Sequence, residues 1–221
     1  MDGNGRWARK KGLPKIAGHR AGAKSVDEIT KAAAGAGIRV LTLYAFSTEN
    51  WKRPKEEVGA LFKLLEDYLV KEIARLKKNN IRLSVIGCLK DLPASTREKL
   101  TQAIESTKDN TGMVLNIALN YGSRDEITAA ARAIAGDVKK GAIREGDINE
   151  ELFSRYLYTR DLPDPDLLIR TSGESRVSNF LLWQISYAEI YITNKLWPDF
   201  RKEDLEKAIR EYQKRERRFG G

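Results

Sequence analysis

Apolar residues recur along this chain in two alternating rhythms. From residue 23 to 36, Val26, Ile29, Ala33 and Ala36 fall at helical spacing, and Gly37 closes the run. Residues 38–46 (IRVLTLYAF) then form a short run rich in β-branched and aromatic side chains, the pattern of a strand covered on both faces. Pro54 opens a long helix at a position where its missing N–H costs nothing, and Val58, Leu61, Leu65, Tyr68, Leu69, Ile73 and Leu76 mark its apolar face as far as residue 79. Strands are predicted at 81–87, 113–119, 166–170 and 189–193, and helices at 94–108, 125–140, 149–157 and 202–214. Residues 1–20 read as loop, with the Gly18-His19-Arg20-Ala21-Gly22 turn leading into the first helix.

Strands that alternate with helices predict an α/β fold with a mostly parallel sheet flanked by helices. No repeat and no low-complexity linker interrupts the pattern, so residues 1–221 are expected to form a single domain. Ligands of such sheets bind beyond the carboxyl ends of the strands. The polar segments 47–53, 120–126 and 171–178 all follow strands and should meet on one rim.

Composition narrows the chemistry. The chain holds one cysteine, Cys88, and one histidine, His19, which excludes a disulfide framework and a Cys/His zinc site; any metal must sit on oxygen. No run of about 18 apolar residues and no leader pattern is present, so a cytoplasmic protein is expected. The net charge of +9 could serve nucleic acid, anionic lipid or a phosphorylated small molecule. Its placement favours the last: residues 1–24 carry seven basic side chains against one acid, Asp2. A nucleic-acid face would more often be a broad stripe with interleaved aromatics, and no nucleic-acid partner is expected. A P-loop motif is missing as well.

The segment Asp2-Gly3-Asn4-Gly5-Arg6-Trp7-Ala8 has the make-up of an anion site. Glycines on either side of Asn4 permit positive φ and close approach of a ligand. Successive backbone N–H groups in such a turn form a concave anion cradle. Arg6 can hold phosphate oxygens through two donors at once, and Asp2 can hold a hard divalent cation.

Five blocks, MDGNGRWA, GHRAG, LTLYAFSTENWKRP, LNIALNYGSRDEI and LIRTSGESRVSNFLLWQISYAEIY with the following LWPDF, resemble the cis-prenyltransferases, and among them the bacterial undecaprenyl diphosphate synthases. The resemblance covers essentially the whole chain. It implies a six-stranded parallel sheet around a hydrophobic tunnel, with five strands visible here and the sixth expected ahead of the Asp-Gly-Asn-Gly block. It also implies homodimers that extend farnesyl diphosphate with isopentenyl diphosphate in cis geometry, using Mg2+, to make a lipid carrier for cell-wall synthesis. Peripheral contact with the inner membrane face would follow from the lipid product.

Carried over by position, the resemblance makes Asp2 and Asn50 catalytic. It assigns Gly3, Asn4, Gly5, Arg6, Trp7, Lys15, His19, Ser47, Glu49, Trp51 and Arg53 to the allylic diphosphate. Arg170, Arg176 and Ser178, with Arg218 and Gly220 from the tail of a partner subunit, go to isopentenyl diphosphate, and Asp2 with Glu189 to the metal. Lys15 stands where the family usually has arginine, which keeps the charge but loses the bidentate fork; Ser175 stands where some members have histidine. The face of the long helix, the strand holding Met113 and the helix holding Ala23 would line the tunnel and set a medium-length product. The sequence contains no Asp-Asp pair of the trans-type synthases. A shorter- or longer-chain synthase, and a non-catalytic partner subunit, are the alternative readings; the intact Asp-Gly-Asn-Gly-Arg block argues against the second.

Overall fold

The computed structural model describes residues 1–215. The N-terminal stretch expected as loop is helical: α1 (Asn4–Lys10) is followed by α2 (Lys15–Gly35), which begins at Lys15 rather than at Ala23. The two glycines that read as a turn are packing positions inside α2. A Cβ on Gly18 would stand 2.0 Å from the Asn4 carbonyl oxygen, and one on Gly22 would stand 2.4 Å from Asn4 Oδ1. Their bare backbone is what lets α1 lie against α2. Gly3 is the turn glycine, with φ of 103°, whereas Gly5 sits inside α1.

The remaining elements follow the hydrophobic rhythm closely. β1 (Val40–Ser47) leads through a 3-10 turn (Thr48–Lys52) into α3 (Lys55–Lys78), and β2 (Arg82–Ile86) leads into α4 (Ala94–Thr107). β3 (Val114–Tyr121) is followed by α5 (Ser123–Lys139) and the short α6 (Glu150–Ser154). β4 (Leu167–Arg170), β5 (Glu189–Ile192) and α7 (Lys202–Gln213) complete the described chain.

All strand pairs are parallel, as expected, but the five strands form two sheets. One has the order β1-β3-β2, with Val40 and Arg82 both level with Val114; the other pairs β4 with β5. β3 is central, and each of its eight residues is buried. Leu43 and Ile117, level with each other across β1 and β3, pack into one core with Phe62 and Leu69 of α3 and with Trp197 and Phe200. The facing edges of β1 and β4 border a cavity of about 450 Å3, with Met1 among its lining residues. A strand in that gap would join the two sheets into the six-stranded one that the resemblance implies; among the described residues no segment fills it.

The loops after the strands do converge. Thr48 Oγ1 donates to Asp125 Oδ2 at 3.0 Å, Asn179 Nδ2 to Glu49 Oε1 at 3.0 Å, and Trp51 Nε1 to Asn120 Oδ1 at 2.7 Å. These bonds tie the exits of β1, β3 and β4 into one rim.

α3 is held from outside by a buried carboxylate. Glu66, 7% exposed, accepts hydrogen bonds from Ser95 Oγ at 2.8 Å, Thr96 Oγ1 at 2.7 Å and Lys99 Nζ at 2.7 Å, all on α4. The Lys99 ammonium and then the Thr96 hydroxyl hold this carboxyl at about 2, against the opposing effect of burial. Because the folded value lies below the ordinary 4.5, the stability it contributes is complete above that value and is lost as pH falls towards 2. Glu66→Ala should therefore cost about 2–3 kcal/mol at neutral pH, with the difference from wild type shrinking in acid. Urea titrations of both proteins at several pH values check this; a gap independent of pH would show that the carboxylate charge contributes nothing.

Candidate active site

Asp2 is pinned to the body of the fold through its backbone. Its carbonyl oxygen accepts from Trp197 N at 3.0 Å, Thr171 Oγ1 at 3.1 Å and Ser172 Oγ at 2.8 Å. Its partly exposed carboxylate then points into the mouth of a cavity of about 940 Å3. Oδ1 accepts from the Gly3 amide at 2.7 Å and lies 3.6 Å from Arg6 Nη2; Oδ2 lies 3.0 Å from Arg170 Nη2. Arg170 is the more buried partner, also reaches Ser178 Oγ at 3.2 Å, and keeps its Nε buried without a hydrogen-bond partner. A buried cationic donor left unpaired is costly unless an acceptor joins it.

A second cluster of cations, gathered around Glu57, lines another part of the same mouth. Lys15 Nζ and Arg53 Nη1 bind the two oxygens of Glu57 at 3.3 and 3.1 Å. His19 stands beside them and lines the same cavity. Burial pushes the His19 imidazole below its ordinary 6.5; the Arg53 and Lys15 charges lower it further, while Glu57 opposes them. It is therefore neutral at pH 7. The first turns of α2 and α3 end at this side of the mouth and add the partial positive charge of helix N-termini.

The β1 exit supplies the polar roof. Asn50 Oδ1 accepts from the Ser47 amide at 3.2 Å, which closes the 3-10 turn into a reciprocal cap. Glu49 is partly desolvated, yet the bonds from Asn179, its own amide and Ser47 outweigh burial and hold its carboxyl below the usual range. Below this polar ring the walls turn apolar: Ala23 and Val26 of α2, Leu43 and Ala45 of β1, Leu61, Phe62, Leu65 and Tyr68 of α3, and Ile117 and Leu119 of β3.

The cavity thus gathers Asp2, Gly3, Asn4, Gly5, Arg6, Lys15, His19, Ser47, Glu49, Asn50, Arg53, Arg170 and Ser178. Other residues singled out in the sequence lie elsewhere. Trp7 donates to Asp199 Oδ1 at 2.7 Å and anchors α1, and Trp51 packs edge-on against Phe46 at 5.2 Å while holding Asn120. Arg176 lines the smaller cavity and pairs with Glu174. Glu189 is level with Leu167, three residues, or about 10 Å, back along the strands from Arg170. It binds Arg215 at 2.6 Å, outside the cavity. Arg218 and Gly220 lie outside the described residues. Met113 is buried but is not part of the cavity wall, which β3 contributes through Ile117 and Leu119. Sequence reasoning did not single out Glu57 or Asn179. Glu57 had a legible signal, a carboxylate one helical turn after Arg53; Asn179 had none beyond its place next to Ser178.

A family model described as "Putative undecaprenyl diphosphate synthase" matches residues 1–220. The chain is 53% identical over 221 residues to an isoprenyl transferase of Clostridium tetani and 54% identical to one of Clostridium perfringens, spanning all of itself and 87% of each relative. Its structure is similar to that of lavandulyl diphosphate synthase from Lavandula x intermedia in complex with dimethylallyl diphosphate, with a TM-score of 0.97 and 38% identity, covering 100% of this chain and 95% of that one. It is also similar to a protein described as a probable undecaprenyl diphosphate synthase from Campylobacter jejuni, with a TM-score of 0.80 and 40% identity over 91% of this chain and 93% of that one.

Because His19 is the only histidine, its titration can be followed without assignment ambiguity. Its midpoint should lie below the ordinary 6.5 and rise when inorganic pyrophosphate is added, since nearby negative charge favours the imidazolium. Proton NMR of the imidazole checks this; a midpoint that pyrophosphate leaves unmoved would place the anion away from Lys15 and Arg53.

Proposed function

The chain belongs to the undecaprenyl diphosphate synthase family and is a prenyltransferase, and we propose that it condenses isopentenyl diphosphate repeatedly onto farnesyl diphosphate, in cis geometry and with Mg2+, to give a polyprenyl diphosphate of undecaprenyl length. The observation that carries this reading is a ring of cations interleaved with carboxylates, opening directly onto an apolar-walled cavity of about 940 Å3. A diphosphate bound at such a ring leaves its hydrocarbon tail facing the apolar walls, the amphipathic match that a prenyl diphosphate needs.

The residues divide the work. Arg6, Lys15 and Arg53, with neutral His19 as a further donor, would hold the allylic diphosphate and stabilise the charge that gathers on it as its C–O bond breaks. Arg170, Ser178 and Arg176 would hold the diphosphate of the isopentenyl group whose double bond attacks. Asn50, fixed by the Ser47 amide, would orient the reacting carbons and the proton that is lost. The apolar wall excludes water, which would otherwise capture the allylic cation.

The mouth fits Mg2+ bound together with a diphosphate. That ion commonly takes one or two carboxylates and completes its shell with phosphate oxygens and water. Asp2 presents one partly exposed carboxylate among the arginines, and no cluster of three His, Cys, Asp or Glu side chains able to cage an ion occurs among the described residues. Asp2 would hold the ion, which when bound neutralises the departing diphosphate.

The homodimer belongs to the same proposal. Glu189, Arg218 and Gly220 would serve a neighbouring copy's site; Glu189 on β5 lies outside its own chain's cavity, paired with Arg215. Ile190 and Ile192 on that strand are each 45% exposed and would be covered there. A lipid product also motivates peripheral contact with the inner membrane face. No helix among the described residues is long and apolar enough to cross a membrane.

Incubation with farnesyl diphosphate, labelled isopentenyl diphosphate and Mg2+, followed by chain-length analysis, tests the reading directly; folded protein that incorporates no label would overturn it. Asp2→Asn should cut turnover by about 100-fold or more while the allylic diphosphate still binds, because the backbone bonds that fix residue 2 survive. Near-normal turnover would remove the carboxylate from the chemistry. Product length should respond at the cavity floor. Tyr68 is the lining residue of α3 farthest from the mouth, so Tyr68→Ala should lengthen the product; an unchanged length would place the stop elsewhere.

A further inference from the structure

We propose that Glu174 is an internal competitor for diphosphate: its carboxylate claims Arg6 and Arg176 when no diphosphate holds them, which weakens diphosphate binding and speeds the departure of pyrophosphate after each addition. The proposal rests on the reading of the mouth given above. Its basis is geometric. Glu174 Oε1 lies 2.8 Å from Arg6 Nη2, and its Oε2 contacts Arg176 Nη1, so one side chain bridges two guanidinium groups that the functional reading gives to different diphosphates. Glu174 is the inner member of the trio, 22% exposed against 41% for Arg6 and 64% for Arg176.

The loop delivers it there. Ser172 and Gly173 before Glu174, and Ser178 and Asn179 after it, all have positive φ, from 51° to 74°. This backbone is confined to few residue types and persists only where surrounding contacts over-determine it. Ser172 is locked by its bond to the Asp2 carbonyl and by the Arg6 guanidinium on its own carbonyl, at 3.1 Å. The segment carrying Glu174 is therefore clamped to Asp2 and Arg6, and its carboxylate is held where a phosphate oxygen would bind.

A charge-assisted bond from arginine is available to a carboxylate or a phosphate oxygen, not to both along one N–H. Diphosphate must therefore displace Glu174 from the Arg6 N–H it holds, or bind the donors that remain and sit near a like charge. Either effect lowers its affinity. In a reaction that releases one pyrophosphate per condensation, a resident carboxylate that reclaims the donors favours clearance of the site before the next cycle.

Calorimetric titration with inorganic pyrophosphate tests this in wild type, Glu174→Gln and Glu174→Asp. The Gln variant should bind about three- to tenfold tighter and be inhibited by pyrophosphate at correspondingly lower concentration. The Asp variant, which keeps the charge on a shorter stem, should fall between it and wild type. A purely structural role would instead weaken binding in both. Equal or weaker binding by the Gln variant, or by the Asp variant should the Gln variant not fold, would overturn the proposal. The wild-type condensation assay separates the two levels. A wild type that condenses, beside a Gln variant with unaltered pyrophosphate affinity, removes only the competitor role; a wild type that does not condense removes the reading of the mouth itself.

Discussion

Three hydrogen bonds onto one carbonyl oxygen organise this molecule. Residue 2 is joined to residues 171, 172 and 197, and its carboxylate is met by Arg170 from the end of β4. Without that long-range tether nothing else shown would fix the orientation of Asp2 ahead of α1, and ordering it would cost any site conformational entropy. With it, the acid is fixed to the end of β4 and to Trp197, whose indole in turn donates to the Gly22 carbonyl of α2 at 2.9 Å. The same contacts seat α1 on the glycine-bared face of α2 and bring Lys15 and His19 to the mouth. The contacts that assemble the site are here also contacts that close the fold.

Much of this was legible in the chain, and what was not has identifiable causes. Helices α3, α4, α5 and α7 and all five strands fall within a few residues of where apolar periodicity puts them, and each of these helices buries an apolar stripe, through Leu69, Leu100, Ile134 and Leu205 respectively. The convergence of the segments after β1, β3 and β4 also follows from parallel strands alone, and the bonds among Thr48, Asp125, Glu49 and Asn179 bear it out. Periodicity failed where glycines carry the packing. Gly18 and Gly22 bury backbone rather than side chains, so α2 has no apolar stripe over its first two turns and looks like loop. Partition into two sheets was equally invisible, since edge-to-edge neighbours are set by tertiary spacing and not by any local pattern. The placement of Glu189 is of the same kind: its role was carried by resemblance, and only the β4–β5 register shows that it lies level with Leu167, three residues back from Arg170, and outside the cavity.

The charge of the mouth is also less than composition suggests. A net charge of +9 concentrated near the N-terminus reads as a strongly cationic funnel. The structure instead interleaves the cations with carboxylates: Asp2 between Arg6 and Arg170, Glu57 between Lys15 and Arg53, Glu174 between Arg6 and Arg176. Each carboxylate orders its neighbours and lowers the repulsion among them, at the cost of lending them to an internal anion. Under the proposed function such a mouth would be ordered before a diphosphate arrives and still able to release one, which suits a site that cycles on a growing chain better than a site built only for tight capture.

Helix α3 connects this electrostatic problem to the apolar one. Its first turn carries Glu57 into the cation cluster, its middle carries Leu61, Phe62, Leu65 and Tyr68 along the cavity wall, and Glu66 on another face locks it to α4. A wall that is to measure a hydrocarbon chain has to resist the chain's own tendency to spread it, because apolar contacts alone are non-directional and let helices slide. The three hydrogen bonds on Glu66 are directional and engage both carboxylate oxygens, so they fix the register of α3 against α4 in a way that Val58, Leu69 and Leu76 cannot. The depth of the cavity is thereby tied to a polar contact on another face of α3, and under the proposed function so would be the length of the product.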